Sequence, residues 1–478
     1  MELYNTLSGR KEELERPASR PLKLFVCGPT VYDYSHVGHA RTYVFFDAFV
    51  RYLRSLGWDV SYISNITDVD DRIINRAKEN GESPMALARR FADAYLEDMR
   101  ALGASAGARY AFASRFVPEI VRQVRTLMQK GFGYVIEGDG IYYDIAKFAD
   151  YGKLSRRTAL QAEDSVSRID ESVQKRNWGD FCLWKFPKSP VTVPFYKRFT
   201  ITGDGEPVWK TPLGWGRPGW HIEDTAITER FYGPQYDIHG GGVDIKFPHH
   251  EAEIAQQEAA SGKKPFVRFW MHVGSLLVEG KKMSKSLGNF VTIRDFLKDH
   301  SPEALRYIVL SSHYRSPLDY SEGLAAAAEA SINGAKAFLE KLEFAQKRTK
   351  NQKTSPDMEK LIAGTDRSFK DALEDDFNTP AALGAVFALI SGVQPFIWAL
   401  SSEDLRALSR AVSSKFAVLG FGPWKSEAVP QNIEALAQKR ELSRQSKQFA
   451  QSDALRKEME ALGYSVDDTP LGPFVHRS

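Results

Sequence analysis

The sequence predicts an α/β fold: a Rossmann-type parallel sheet carrying an insertion domain, followed by an α-helical bundle and a small C-terminal domain. Three observations lead there. A strand–loop–helix–strand run spans Leu22 to Thr67, a second αβ portion reaches to about residue 266, and from Ser301 onward apolar residues recur at helical spacing.

Leu22 to Cys27, LKLFVC, is an apolar run of strand length. GPTVYDYSHVGH is rich in turn formers, and ARTYVFFDAFVRYLRSLG has helical apolar spacing with Gly57 as its stop. VSYISNIT, rich in β-branched residues, reads as the next strand. Parallel βαβ units place ligands beyond the carboxyl ends of their strands, so Cys27, the HVGH segment and Thr67-Asp68 are candidates by position.

From about Met85 to Leu183 the pattern is mainly helical with a strand-like patch at Gly138 to Asp144, and Val191 to Pro207 looks like a β-rich excursion. Both belong to the insertion, after which TPLGWGRPGWH returns the chain to the sheet. The expected boundaries are 1–115 and 207–266 for the two halves of the sheet domain, 116–206 for the insertion, 267–300 for a connecting region, 301–422 for the bundle and 423–478 for the C-terminal domain. Past Gly422-Pro423, IEALAQKRELSRQSKQFAQSDALRKEMEALG reads as one helix ending at Gly463, then a short tail. No fixed-period repeat is visible.

At 478 residues, 43% apolar and 26% charged, the chain can bury several cores. Its first residues, MELYNTLSGRKEELERP, lack the apolar stretch of a secretory signal, so a cytoplasmic location is expected. Phe377 to Ser402 is uncharged and long enough to test as a membrane span. Asn378-Thr379-Pro380 reads instead as a helix cap with Pro at the first helical position, which predicts a buried bundle helix and no membrane. The two cysteines, Cys27 and Cys182, are too few for a disulfide framework and fit a reducing compartment. A net charge of +3 does not announce nucleic-acid binding, which leaves local charge to be inspected.

His36-Val37-Gly38-His39 sits between strand and helix, where a helix dipole and free backbone N–H groups favour phosphate. Two imidazoles there can stabilise charge developing on a triphosphate, and Gly38 leaves room for a base against the backbone. Lys282-Met283-Ser284-Lys285-Ser286 follows the strand-like GSLLVEG, and two lysines on a closing loop can clamp pyrophosphate as it leaves. Each motif alone also has an ordinary reading, as a loop with two exposed histidines and as solvated lysine-rich surface.

Together, in this order, HxGH and KMSKS resemble the signature pair of class I aminoacyl-tRNA synthetases. The segments CGPTVYDYSHVGHAR, NITDVDDRII, RPGWHIED, DIHGGGVDIKFPHHEAEIAQ, GKKMSKSLGN, HYRSPLDYS and DDFNTPAAL resemble the cysteinyl-tRNA synthetase family, from about residue 21 to about residue 380. The resemblance implies a class I synthetase fold, with a stem-contact region carrying KMSKS at 267–300 and an anticodon-recognition domain at 423–478. It implies activation of L-cysteine by ATP with Mg2+, transfer to tRNA(Cys), and a monomer. By residue, it implies His36, His39, Lys282 and Lys285 as catalytic. Gly38, His239, Gly241, Asp244 and Lys285 would meet ATP, and Gly28, Thr67 and Trp220 would meet the amino acid. One zinc ion would be held by Cys27, Asp224, His249 and Glu253.

Asp224 stands where that family has its second zinc-binding cysteine. His249 and Glu253 are four apart in a helical pattern and face one side, and a carboxylate carries the thiolate's formal charge though it is a harder donor. Such a metal would select the substrate thiol over a hydroxyl or methyl group. Without a metal, Cys27 is an ordinary buried cysteine and His249 a capping residue. Cys182 reads as a small buried apolar side chain. Trp220, four before Asp224, falls on the same helical face and resembles the family tryptophan that closes over cysteine, with core packing as the alternative. Asp244 and the glycines of HGGG are expected beside ribose and base, and a flexible turn explains three glycines as well.

Lys439 to Lys457 contains six basic residues, with Arg440, Arg444 and Lys447 at helical spacing, against Glu441 and Asp453. Such a stripe tracks phosphates and anticodon bases, or is a solvated helix face. DTPLGPFVHR resembles the family tail but has Val475 where a tryptophan is usual. Two rivals remain: a ligase joining cysteine to a small amine, and a catalytically silent tRNA- or amino-acid-binding paralogue.

Overall fold

The computed structural model describes residues 1–477 apart from 105, 158–173, 193, 195, 196, 284–287, 351–354 and 425–427. Contacts divide the chain into two units, Met1–Glu322 and Gly323–Ser478.

The first unit is organised by β1 (Leu22–Val26), α1 (Val37–Ser55), β2 (Val60–Ile66), β3 (Arg109–Phe112), α2 (Ile222–Tyr232), β4 (Tyr236–Gly242), α3 (Glu251–Ser261) and β5 (Val267–Val273). The strands form a parallel sheet of order β5-β4-β1-β2-β3. Consecutive buried residues in β1, Leu24, Phe25 and Val26, reflect a strand covered on both faces. The chain winds outward from β1 to β3 and then crosses to β4 on the other flank. The crevice beyond the carboxyl ends of β1 and β4 is therefore the switch point where such sheets take ligands.

α1 begins earlier than its apolar spacing suggested. His36 is its N-cap, so HVGH forms the first helical turn rather than a loop. The helix buries Val44, Phe45, Phe46, Phe49 and Leu53, and Gly57, at φ +76° in the left-handed region that favours glycine, is the stop.

The insertion holds more strand than expected. Its sheet is antiparallel, in the order Gly133–Ile136, Gly140–Tyr143, Phe181–Lys185, Gly214–Pro218, Pro207–Thr211, Phe199–Ile201. The segment TPLGWGRPGWH thus supplies an inner strand of this insertion sheet, Gly214–Pro218, and the chain rejoins the main sheet domain only at α2. The HGGG run also differs from a turn, because β4 continues through it, pairing Gly240 with Met271, Gly241 with His272 and Gly242 with Val273.

The second unit contains α4 (Glu322–Arg348), α5 (Pro356–Glu374), α6 (Thr379–Val393), α7 (Ser402–Val418), α8 (Gln431–Gln445) and α9 (Phe449–Ala461), then β6 (Tyr464–Thr469) and β7 (Gly472–Arg477). α6 comes from the uncharged window. Asn378 Oδ1 accepts from the Ala381 N–H at 3.2 Å as its cap, and Leu383, Val386, Leu389 and Val393 are buried. The single C-terminal helix expected from periodicity is two helices, parted at Lys447, which has φ +57°. The tail is a hairpin, with Val466 opposite Val475. Ile433, Ala437, Met459 and Val466 make a small core there, with Val475 packed against it.

Candidate active site and metal centre

Cys27 follows β1, and its N–H donates to the Gly240 carbonyl across to β4 at 2.9 Å. The next N–H, of Gly28, donates to Asn65 Oδ1 at 2.5 Å, and a Cβ on Gly28 would lie 1.7 Å from the Asn65 carbonyl oxygen. Only glycine lets β1 and β2 approach this closely. Asn65 Nδ2 donates to Thr67 Oγ1 at 3.3 Å, and Thr67 Oγ1 donates to Glu223 Oε2 at 2.7 Å. Gly28 and Thr67 are thereby joined through Asn65 and tied to the first turn of α2.

The next residue of α2, Asp224, meets Cys27, His249 and Glu253 in a dry pocket. Their exposures are 6% for Cys27, 1% for Asp224, 1% for His249 and 0% for Glu253. His249 lies in the irregular turn Lys246–His250 that precedes α3, where Phe247 is extended, so the pair His249 and Glu253 is not one regular helical face. They still meet. His249 Nε2 is 3.2 Å from Glu253 Oε1 and 3.2 Å from Asp224 Oδ2, and only the second contact has hydrogen-bond geometry.

Asp224 Oδ1 and both oxygens of Glu253 are buried without a hydrogen-bond partner. Leaving a buried ionised carboxylate unpaired is expensive. Burial, with Asp224 beside it, pushes the Glu253 carboxyl well up, and burial followed by the Asp224 and Glu253 charges pushes the Cys27 thiol well up. A divalent cation resolves all of these demands at once. The donor atoms of Cys27, Asp224 and His249 lie within 4.8 Å of one another, as do those of His239, His250 and Glu253. The residues present therefore fit a metal ion.

Trp220 lies outside α2, just before the N-cap His221, rather than one turn up a helix from Asp224. Its indole stacks on the His249 ring at 4.3 Å with 22° between planes, and the Arg72 guanidinium lies 5.6 Å from it. His221 escaped notice in the sequence. Its Nδ1 is 2.8 Å from His249 Nδ1, and burial lowers its basicity well below the usual imidazole range. His250 and His272, joined by a 2.9 Å Nδ1···Nε2 contact, also belong to this cluster. The histidine pair in FPHHEAE was the only available signal.

On the nucleotide side, the rings of His36 and His39 stack at 3.8 Å. The His39 N–H donates to His36 Nδ1 and the His36 N–H donates to His39 Nδ1, both at 3.3 Å, closing a reciprocal cap on α1. Burial lowers His36 to about 2, aided by His39 and opposed by Asp244, and lowers His39 to about 4. Both rings are neutral near pH 7. Since each Nδ1 accepts, each Nε2 carries the proton and is a neutral donor rather than a cation.

Gly38 has a steric reason of its own. A Cβ there would come within 2.8 Å of the His36 ring and 3.4 Å of Met283 Cε. The two motifs are laced together by Val37 N–H to the Val291 carbonyl at 3.1 Å, Ile293 N–H to the Ser35 carbonyl at 2.9 Å, and Phe290 edge-on to His36 at 5.2 Å. Lys282 ends the short strand Lys281–Lys282; its side chain, and Lys285 altogether, lie outside the described residues. His239 is buried in β4, its Nδ1 2.7 Å from Tyr236 Oη and its ring stacked on Trp270 at 4.4 Å. Gly241 backs onto His250, whose Cε1 would be 2.8 Å from a Cβ there, and Asp244 is exposed beyond the strand end.

In the second unit, the basic stripe is partly neutralised. Arg440 makes a two-pronged contact with Asp468, 2.5 Å and 3.1 Å, and Arg444 pairs with the same carboxylate.

Residues 14–330 match the family described as tRNA synthetases class I (C) catalytic domain, and residues 368–421 match the DALR domain. The chain is 40% identical over 481 residues to the cysteine–tRNA ligase of Caldicellulosiruptor saccharolyticus, covering 100% of both. It is 40% identical to that of Thermococcus onnurineus, covering 99% of this chain and 98% of the other. Among solved structures, methionyl-tRNA synthetase of Mycobacterium tuberculosis in complex with methionyl-adenylate is similar at a TM-score of 0.60 and 16% identity, over 84% of this chain and 90% of that one. A ternary LeuRS–tRNA–LeuAMS complex from Agrobacterium radiobacter is similar at 0.61 and 12% identity, over 84% of this chain and 86% of that one. At these identities the two structures speak to the fold alone.

Proposed function

This chain belongs to the cysteine–tRNA ligase family of class I tRNA synthetases, and from that premise we propose how its residues divide the work of activating cysteine and of recognising its thiol. The activity is ATP-dependent ligation of L-cysteine to tRNA. The cysteine carboxylate attacks the α-phosphate of ATP-Mg2+, pyrophosphate leaves, and the adenylate passes its acyl group to the terminal ribose of tRNA(Cys). No enzyme nucleophile is required, so catalysis is placement and charge stabilisation.

His36 and His39 give neutral Nε2–H donors to the phosphates, and Lys282 and Lys285 supply the positive charge that those rings lack. Gly38, Gly241 and the backbone at His239 leave space for the nucleotide, and Asp244 accepts from ribose. Gly28 and Thr67, fixed by Asn65, frame the amino acid, and Trp220 closes over it. Cys27, Asp224, His249 and Glu253 hold zinc, with no regular ligand other than Cys27 supplying sulfur. When bound, zinc offers a thiol a favourable ligand partner and a hydroxyl a poor one.

The observation that carries this reading is the set of unpartnered buried oxygens on Asp224 and Glu253 around Cys27 and His249. The protein works as a cytoplasmic monomer, with 1–115 and the stretch from α2 to 266 as the catalytic halves, the stretch from 116 to the start of α2 as the insertion, 267–300 as the stem-contact region, 301–422 as the bundle and 423–478 as the anticodon-recognition domain. Amino-acid-dependent exchange of pyrophosphate into ATP tests the reading. Exchange with cysteine exceeding that with serine by at least about a hundredfold supports thiol selection, and comparable rates overturn it.

A further inference from the structure

One buried cation of α1 has no part in the nucleotide and metal sites described above. Arg41 is 1% exposed, and its guanidinium is given over to backbone carbonyls. Nη1 donates to the carbonyl oxygens of Gly274 at 2.7 Å and Ser275 at 2.5 Å. Nη2 donates to that of Ser316 and, at a longer 3.5 Å each, to those of His313 and Tyr314. Burial lowers the pKa of Arg41 to about 10, so the group remains charged near neutral pH. A charge buried against neutral carbonyls is costly where an apolar side chain would not be. What the charged fork offers in return is five donors in fixed geometry, able to hold two separate chain segments at once.

Those two segments are the roots of one small sheet. Gly274 and Ser275 lead from β5 into the strand Leu276–Val278, which turns back as Lys281–Lys282, where KMSKS begins. His313 to Ser316 lead into the strand Leu318–Tyr320, which pairs in parallel with Leu276–Val278. The roots are fitted to each other as well. The Gly274 N–H donates to the Tyr314 carbonyl at 2.7 Å and the Leu318 N–H to the Ser275 carbonyl at 3.0 Å, and a Cβ on Gly274 would lie 2.5 Å from the Ser316 carbonyl oxygen. Tyr314 in turn stacks on Phe45 of α1 at 4.5 Å. Beyond the motif, Val291 and Ile293 are bonded to Val37 and Ser35 at the start of α1. One helix therefore grips the chain before KMSKS, at Arg41, and after it, at the turn that carries His36 and His39.

Resting on the nucleotide-site reading above, we propose that Arg41 is a positioning residue for cysteine activation: it sets the base of the KMSKS hairpin against the helix of HVGH, so that Lys282 and Lys285 reach the same phosphates as His36 and His39. Arg41 touches no substrate atom and acts through the lysines. A misplacement of about an ångström in groups that stabilise developing charge costs on the order of a hundredfold in rate.

Pyrophosphate exchange tests this on the full-length wild type, Arg41→Met, Arg41→Lys, Lys285→Ala and each Arg41 variant combined with Lys285→Ala. Arg41→Met, which keeps the side-chain bulk without the fork, should lower kcat about tenfold to a hundredfold and leave KM for cysteine within about twofold. Arg41→Lys, with one ammonium in place of the fork, should fall between Arg41→Met and wild type. Because Arg41 acts through the lysines, each double variant should be no more than about twofold slower than its slower single variant, whereas independent effects multiply. If Arg41→Met does not fold, Arg41→Lys carries the same comparison. Multiplied losses, a raised KM for cysteine with kcat kept, or wild-type kcat in the Arg41 variants would overturn the proposal, as would losses that follow the melting temperature alone. Wild-type rate in Lys285→Ala would overturn the reading on which the proposal rests, a result distinct from all of these.

Discussion

Asp224 Oδ2 stands 3.2 Å from His249 Nε2, while the other nitrogen of that ring, Nδ1, stands 2.8 Å from His221 Nδ1. The imidazole is held from both sides. For Nε2 to face a cation, Nδ1 must carry the ring proton and donate it, and the neutral His221 is placed to accept it. The rear contact therefore fixes the tautomer that the front contact needs. Trp220, stacked on the same ring, limits its rotation.

His221→Ala should leave the four metal-facing residues in place and yet weaken metal binding by a factor on the order of 10 to 100, the usual penalty for losing the group behind a ligating histidine. Chelator competition on the purified protein measures it. An unchanged metal affinity would show that His249 is oriented without His221.

Metal should also stabilise the fold. The apoprotein buries Asp224, Glu253 and Cys27 against one another, and the cation removes that repulsion only in the folded chain. At a free concentration a hundredfold above Kd, linkage predicts about 2.7 kcal/mol of added stability. Urea unfolding of the first unit with and without zinc checks this, and coincident curves at saturating zinc would sink it.

At Gly38 the conflict is with the protein's own side chains. Gly38→Ala forces the His36 ring and Met283 to give way, because the added carbon would sit 2.8 Å from the ring. The reciprocal cap between His36 and His39 then opens, and both Nε2–H groups lose their aim. Pyrophosphate exchange should fall at least tenfold, about 1.4 kcal/mol of transition-state stabilisation, with the melting temperature little changed. Loss of folding instead of rate would mean that the glycine serves packing alone.

Much of this was legible in the residues. The first βαβ unit and the position of Cys27 and Thr67 at strand ends follow from periodicity and from where parallel sheets place their ends, whereas the pairing of HVGH with the KMSKS segment rests on resemblance to a known family. What escaped was set by tertiary pairing. Gly140–Tyr143 lies within the strand-like patch that was expected, but Phe181–Lys185 becomes a strand because it pairs with that patch from far along the chain, which a local helical pattern cannot register. The break at Lys447 has no glycine or proline to mark it, and the tail hairpin is revealed only by Asp468 reaching back to Arg440 and Arg444. That same contact turns two cations of a presumed phosphate-tracking stripe into a structural anchor. His221 was invisible as a functional residue because its role lies in a contact with His249, twenty-eight positions away.

The cap histidines give a pH signature. Folded His39 titrates at about 4 because it is buried, against 6.5 for the free ring. Between those values the unfolded chain binds a proton that the folded ring refuses, so stability falls as pH drops through this window and the group contributes no slope above it. His36, at about 2, acts in the same direction and extends the effect to lower pH. His39→Gln isolates the contribution, since a glutamine at this third helical position can still accept the His36 N–H as in an ordinary capping box. Urea midpoints measured from pH 4 to pH 8 should decline less steeply on the acid side for the variant. The other buried histidines, including His272 at about 3, are common to both proteins and cancel in the comparison. Parallel declines would mean that His39 is solvated enough to titrate normally, and its role as a neutral donor to phosphate would fall with that result.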